Sequence, residues 1–199
     1  MKWGLFDVDC REMMLDHSLD FRPRVRPMGE KLNKIYELIQ QNDAVLLFTT
    51  CCSGAMLQPD SRKDVLFVPM DEKMSSWQEQ FSSYKQFYLE KKKSSPDLAC
   101  LETFSYNKNA TLLLDMLEVD EWIVFGNGLD LCVNHAMQHL LATKRPVTFL
   151  SDVMISSAKG HGNSGTDENR DITFANWCAM GAVQETLENF LARISDSKR

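Results

Sequence analysis

The sequence predicts an α/β protein of three layers, in which helices cover both faces of a mostly parallel sheet. Short apolar runs alternate with longer amphipathic segments along most of the 199 residues. The run 44–50, AVLLFTT, is almost continuously hydrophobic, as is typical of a strand buried on both faces of a parallel sheet. Strands that alternate with helices are joined by right-handed crossovers, which place helices on the two faces. The length suits a single domain spanning residues 1–199.

The first half of the chain alternates predicted strands with predicted helices. Apolar residues spaced three and four apart predict helices, and compact apolar runs predict strands. Aromatic residues recur at helical spacing between positions 77 and 88, so we expect a helix there. Lys91 then falls at a helix C-terminus, where a cation offsets the helix dipole without any ligand. In chain order the expected elements are strand Trp3–Val8, helix 28–41, strand 44–50, helix 76–92, strand 98–101 and helix 110–117.

The same alternation is clearer in the second half. Between the last two expected elements lies a polar, glycine-containing stretch at 156–170, predicted to be a long loop. The expected elements are strand 121–126, helix 131–143, strand 146–151 and a final helix over 173–193.

Composition excludes several classes of function. The formal net charge of −6 lacks the basic footprint of a general nucleic-acid binder. The longest uncharged stretch, 44–59, is too short and too polar to span a membrane. Asp7 and Asp9 interrupt the one apolar run near the N-terminus, so no secretory signal is predicted. We therefore expect a soluble, cytoplasmic protein whose six cysteines are mostly buried thiols, with neither disulfides nor a zinc site.

Ligands of parallel α/β sheets bind beyond the carboxyl ends of the strands. Functional residues are therefore expected among the groups that follow each predicted strand. Carboxylates occur in four of these five groups, and cysteines in two. The groups are Asp7 with Asp9, 49–53 including Thr50, Glu102, 127–132, and 151–152.

Cys132 falls in the first turn of a predicted helix, after the strand 121–126 and a turn at Asn127–Gly128. A thiol in that position meets unpaired backbone N–H groups and the positive end of the helix dipole, and both favour the thiolate. The same N–H groups can form an oxyanion hole. Spacing alone leaves two interpretations open, a nucleophile or a buried structural cysteine.

The residues around Cys132 resemble those of the isochorismatase-like cysteine hydrolases, which include nicotinamidases, isochorismatases and carbamoylases. The resemblance rests on the run GNGLDLCV, the helix with Ala136 that follows, and the strand VTFLSD. GLFDVD at the N-terminus resembles the first strand of the family, which ends in a catalytic aspartate. The resemblance implies a Rossmann-like, isochorismatase-like domain that hydrolyses a small amide, carbamoyl or related C–N bond.

The resemblance also implies roles for individual residues. Cys132 would be the nucleophile and Asp7 the general base that takes its proton. The peptide between Asn127 and Gly128 would be cis, and the backbone amides of Gly128 and Cys132 would hold the oxyanion. The implied substrate-binding positions are Asp9, where many members have glutamine, Thr50 and Leu129.

The third catalytic position of the family is a lysine, and the match of this chain places Glu102 there. A glutamate would set a second carboxylate near Asp7 and oppose thiolate formation. Lys108 lies a little further along the chain and could reach back. The alternative to a hydrolase is therefore a non-catalytic relative, a binding or scaffold protein that has lost the lysine. Isochorismatase chemistry, which does not need the nucleophile, is a third option.

The resemblance implies no cofactor for this chain. The aspartate and histidines that hold metal in nicotinamidases are missing after the second strand, which reads TTCCS, so nicotinamide is not the expected substrate. His135 and His139 lie four residues apart on a helix, but a third ligand is lacking, so they are interpreted as structural or solvated. The expected partner is a small-molecule substrate, with no nucleic acid and no membrane. The habit of the family implies a homo-oligomer, a dimer or larger.

Overall fold

A computed structural model of the chain describes residues 1–10, 22–52, 65–69, 83–91, 107–155 and 167–197. These residues form parallel strands and the helices that join them. The strands are β1 (Trp3–Val8), β2 (Val45–Cys52), β3 (Val65–Val68), β4 (Gln86–Lys91), β5 (Glu121–Asn127), β6 (Val147–Ile155) and β7 (Val183–Glu185). The helices are α1 (Arg22–Gln41), α2 (Lys108–Met116), a π-helical turn (Leu129–Val133), α3 (Asn134–Ala142), α4 (Asp167–Ala179) and α5 (Leu187–Asp196).

The strands form one seven-stranded sheet in the order β3-β4-β2-β1-β5-β6-β7, and every pairing in it is parallel. Strand β1 lies near the centre, with Val8 opposite Thr50 of β2 and Gly126 of β5. Because all strands run the same way, their carboxyl ends share one edge of the sheet. The predicted α/β class with a mostly parallel sheet is confirmed.

Two separate hydrophobic clusters cover the two faces of this sheet. On one face, helices α1 and α5 pack against alternate residues of β1, including Trp3 and Leu5. We call this the α1 face. On the opposite face, helices α2, α3 and α4 pack against the other set of alternate residues of β1, which includes Phe6 and Val8. We call this the α3 face. The three layers expected from the sequence are therefore present, and the face to which a side chain belongs follows from the alternation along its strand.

Two predicted helices are wrong in part. Residues 86–91 form strand β4, whose Phe87 and Leu89 are buried on the α3 face, where a helix over 76–92 was expected. Over so few residues the aromatic spacing fits a helix or a strand, and the segment forms a strand because it pairs with β2. The final helix expected over 173–193 is two helices, α4 and α5, with the short strand β7 between them. Gly181, at a φ of +99°, ends the first of these.

Other boundaries differ less from those expected. Helix α1 begins at Arg22, earlier than the predicted start, and the residues 167–170 of the expected loop belong to α4. The predicted strand at 98–101 and the rest of the loop, 156–166, lie outside the described residues.

The close approach of β5 to β1 requires a glycine at position 126. Gly126 has a φ of +148°, and the pairing of β5 with β6 shifts register between Val124 and Gly126. A Cβ atom added there would lie 2.2 Å from the carbonyl oxygen of Val8. A β-carbon cannot fit that close to backbone, so any other residue would push β5 away from β1 at the edge where Cys132 follows.

We predict that Gly126→Ala lowers the free energy of unfolding by at least about 2 kcal/mol, because it combines a strained φ with a backbone clash. Urea denaturation followed by circular dichroism measures this. Gly29→Ala is the matched control, since Gly29 lies in helix α1 with no atom within 4 Å of an added Cβ. That change should stabilise the protein by about 0.5–1 kcal/mol. Equal effects of the two substitutions would contradict the prediction.

Candidate active site

Cys132 lies in the π-helical turn that joins strand β5 to helix α3. The N–H of Val133 donates to the carbonyl of Gly128 at 3.0 Å, five residues earlier, as a π-helical turn requires. Gly128 has a φ of +79°, and an added Cβ would contact the Sγ of Cys132 at 3.7 Å. The thiol is partly buried and packs against the hydrophobic cluster of the α3 face. Turns of this kind occur often at functional sites.

A buried lysine, Lys91, contacts this thiol. Lys91 is the last residue of β4, and its side chain is 3% exposed. Its Nζ lies 3.8 Å from the Sγ of Cys132 and 2.5 Å from the Oδ2 of Asp9. A cation at that distance from sulfur favours the thiolate, which is the nucleophilic form. The ion pair with Asp9 in turn provides the counter-charge that a buried ammonium group needs.

Asp9 is held in place from two sides. Its Oδ2 accepts from Lys91, and its Oδ1 accepts a hydrogen bond of 2.9 Å from the Oγ1 of Thr50. Asp9 has a φ of +58°, in the left-handed region that non-glycine residues seldom adopt. This turn redirects the side chain to the α3 face, towards Lys91. Asp9 and Thr50, predicted to contact substrate, therefore belong to the cluster around Cys132.

Asp7, the predicted general base, lies on the opposite face of the sheet. Its neighbours in β1, Phe6 and Val8, face α3, so Asp7 faces α1. There its Oδ2 accepts from the hydroxyl of Tyr36 at 3.0 Å, and its Oδ1 accepts from the N–H of Cys10 at 3.1 Å. The hydrogen-bond contacts of Asp7 thus lie on the α1 face, whereas the Cys132 thiol packs on the α3 face, and the role of Asp7 as general base stays a prediction.

Burial and hydrogen bonding act in opposite directions on Asp7. Complete burial raises the pKa of Asp7 from 3.8 to about 6, while hydrogen bonds from Cys10 and Tyr36 lower it. Burial also raises the pKa of the Cys10 thiol well above its usual value, and the neighbouring charge of Asp7 raises it further. The Cys10 thiol is therefore a neutral group, unlike a thiol beside a lysine.

The cation of the site is Lys91, for which the sequence predicted a position at a helix C-terminus. Lys91 ends a strand, and so its side chain enters the cluster around Cys132. Glu102, assigned to the lysine position of the family, lies outside the described residues. Lys108, the other lysine considered, is an exposed residue at the start of α2. The sequence feature that could have predicted the position of Lys91 is the alternation of Phe87 and Leu89 before it, which places residue 91 on the same face of the sheet.

The turn before Cys132 also departs from expectation. The peptide bonds of the described residues are all trans, so the cis bond predicted between Asn127 and Gly128 is not present. The N–H of Gly128 donates to the carbonyl of Ile155 at 2.9 Å, so this amide is engaged by strand β6 and not by a ligand. Leu129 is buried in the cluster of the α3 face. The oxyanion role of the Cys132 amide and the substrate contact of Leu129 stay predictions.

No metal centre is formed by the part of the chain that the structure describes. Within those ranges, no three histidine, cysteine, aspartate or glutamate side chains lie close enough together to hold an ion. None of the described helices is long and apolar enough to cross a membrane.

Comparisons with known proteins point to one fold. No family model and no curated protein matches the sequence. An isochorismatase-like hydrolase from Alkaliphilus metalliredigens has 15% identity and a TM-score of 0.61, with 97% of this chain and 99% of that one covered. N-carbamoylsarcosine amidase from Thermoplasma acidophilum has 16% identity and a TM-score of 0.58, with 94% and 97% covered. A nicotinamidase from Bacillus subtilis has 13% identity and a TM-score of 0.57, with 94% and 100% covered.

The chain has the isochorismatase-like fold. The fold expected from the resemblance is therefore confirmed for the part of the chain that the structure describes. At these identities the likeness concerns the fold, and the chemistry of this chain depends on its own residues.

We predict that Lys91→Met slows iodoacetamide alkylation of Cys132 at pH 7 by about 10-fold or more, because the thiolate loses its cation and keeps the anion of Asp9. Peptide mass spectrometry measures alkylation at each cysteine, with the exposed Cys178 as the internal reference. Lys85→Met is the matched control, since Lys85 pairs with the exposed Asp43. An unchanged rate at Cys132 in Lys91→Met would contradict this electrostatic role.

The raised pKa of Asp7 predicts a specific pH dependence of stability. The folded protein holds the proton of Asp7 up to about pH 6, whereas the unfolded chain releases it near pH 3.8. This contribution to stability is therefore present below pH 3.8 and is lost as the pH rises through about 6. The free energy of unfolding of Asp7→Asn should accordingly rise by about 2 kcal/mol relative to that of the wild type as the pH increases from about 4.5 to 7.5.

Urea denaturation across that pH range measures the difference in the free energy of unfolding. Asp43→Asn is the control, because Lys85 lowers the pKa of this exposed carboxyl. The contribution of Asp43 to the free energy of unfolding is therefore lost only at more acid pH. A difference between Asp7→Asn and the wild type that does not change with pH would show that Asp7 titrates normally.

Proposed function

We propose that the chain is a cysteine hydrolase that cleaves a small amide, carbamoyl or related C–N bond. The observation that supports this most directly is the contact of the buried Lys91 with both the Cys132 thiol and the Asp9 carboxylate. An acid, a lysine and a cysteine are the three groups that the resemblance to isochorismatase-like hydrolases requires. Asp9 takes the role expected of Asp7, and Lys91 the one for which Glu102 was considered.

The proposed reaction begins with attack of the Cys132 sulfur on the carbonyl carbon of the substrate. By then the thiol proton has passed to the Asp9 carboxylate, and Lys91 stabilises the Cys132 thiolate that attacks. Asp9 then returns the proton to the departing nitrogen as the C–N bond breaks, which leaves a thioester on Cys132. Water, deprotonated by Asp9, attacks the thioester carbon, and the C–S bond breaks to release the acid and the Cys132 thiolate, with the proton of the water left on Asp9.

The contacts of Lys91 favour this proposal over the two alternatives. A non-catalytic relative was considered because Glu102 occupied the lysine position, but Lys91 supplies a buried cation at the thiol. Isochorismatase chemistry gives no role to a nucleophile, whereas the thiol is the group that Lys91 contacts. A small-molecule substrate is part of the proposal. Assembly into a homo-oligomer and a cytoplasmic location stay predictions.

We predict that the protein releases ammonia from at least one member of a panel of primary amides and N-carbamoyl compounds. Cys132→Ala and Asp9→Asn should each lower kcat by at least about 10³-fold, because each removes a group that takes part in bond making or proton transfer. A coupled ammonia assay measures the rate. Cys178→Ala, which removes an exposed thiol on α4, is the matched control and should leave kcat unchanged. Turnover that survives in Cys132→Ala would refute the proposed nucleophile.

A further inference from the structure

A second polar cluster lies on the α1 face of the sheet, and the proposed chemistry does not use it. Asp7 is completely buried there among the apolar side chains of α1, with Tyr36 and Cys10 as its hydrogen-bond partners. A carboxyl group is costly to bury in such surroundings, and Cys10 and Tyr36 both donate to it. Among the described residues, the titratable groups that act on its pKa are Cys10, Tyr36 and Asp9. Asp7 is separated from Asp9 by only one residue of the chain, and Cys10 directly follows Asp9.

The hydrogen bond from the Cys10 N–H to Asp7 spans Asp9, the proposed proton carrier of the site. It closes a turn over Val8 and Asp9, and Asp9 is the residue in the left-handed conformation. A non-glycine residue keeps such a conformation only where its surroundings enforce it. The hydroxyl of Tyr36 binds the other oxygen of Asp7 and so fixes the carboxyl group against helix α1.

We propose that Asp7 is a positioning residue that acts through Asp9, by holding the turn that directs the Asp9 carboxylate to Lys91 and Cys132. Tyr36 orients Asp7 for this purpose. The inference rests on the proposed function, because it assigns Asp7 a role in the same site. It requires the oxygen of Asp7 as a hydrogen-bond acceptor and does not require its charge.

Two substitutions at position 7 separate these requirements. Asp7→Asn keeps an oxygen that can accept from the Cys10 N–H, whereas Asp7→Ala removes it. We expect Asp7→Ala to lower kcat by about 10-fold or more with KM within about threefold, because the misplaced Asp9 affects proton transfer more than binding. Asp7→Asn should recover most of that loss. If Asp7→Asn is as impaired as Asp7→Ala, the charge is what matters and the inference is wrong.

A double-mutant cycle tests whether the effect passes through Asp9. In an Asp9→Asn background, Asp7→Ala should cause little further loss of kcat, because the group that it positions is already inactive. The same fold-loss in both backgrounds would show a general structural role and overturn the inference. Ile35→Val, a change in the buried core of α1, is the control for lowered Tm and should leave kcat unchanged.

A readout without substrate separates failure of this inference from failure of the proposed function. The carbon-13 signal of the Asp9 carboxyl group, assigned by its absence in Asp9→Asn, should shift in Asp7→Ala and stay in place in Asp7→Asn. An unshifted signal in Asp7→Ala would overturn the positioning role. Absence of turnover together with slow alkylation of Cys132 in the wild type would refute the hydrolase proposal, while this signal would still report on the turn.

Discussion

The ion pair of Lys91 with Asp9 is the interaction on which the rest of the site depends. An ammonium group with 3% of its side chain exposed is unstable in an apolar environment without a counter-charge, and Asp9 provides one at 2.5 Å. Removing one partner of a buried pair typically costs about 3–5 kcal/mol, because the other charge is left uncompensated. The thiol of Cys132 lies 3.8 Å from the same ammonium group. The pair therefore fixes a cation where a nucleophile needs it.

The strand order explains how four distant parts of the chain meet. Strands β4, β2, β1 and β5 are consecutive neighbours in the sheet, and their carboxyl ends lie along one edge. One residue comes from each strand end or the turn after it: Lys91, Thr50, Asp9 and Cys132. Neighbouring strands are about 4.8 Å apart, so β4 and β5 are separated by roughly 14 Å. The lysine is the one side chain among the four long enough to extend across much of that distance.

The sequence was sufficient to predict the fold class and the position of Cys132. Buried parallel strands read as continuous apolar runs, which identified β1, β2, β5 and β6 with small errors at their ends. The turn glycines marked the place of the thiol, because Gly126 and Gly128 adopt conformations that other residues avoid.

The remaining members of the site could not be predicted because they depend on tertiary structure. Strict alternation along β1 places Asp7 and Asp9 on the same face, and only the left-handed φ of Asp9 separates them. The residues before Lys91 have an aromatic spacing that fits a helix, and the pairing of β4 with β2 overrides it. The Gly128 amide was assigned to an oxyanion, but its partner is the carbonyl of Ile155 in β6. The outcomes at Lys91 and Gly128 are set by strands distant in sequence, β2 and β6.

The most direct test of the account is an ultraviolet difference titration of the Cys132 thiolate. Absorbance at about 240 nm, measured for the wild type minus Cys132→Ser, isolates the ionisation of this thiol from the other cysteines. We predict that the thiolate is already present at a pH below the range of a free thiol, which is near 8.5, because Lys91 lowers the pKa of Cys132. The signal should move to higher pH in Lys91→Met. A wild-type signal that appears only at about pH 8.5 or above would contradict the central role of Lys91.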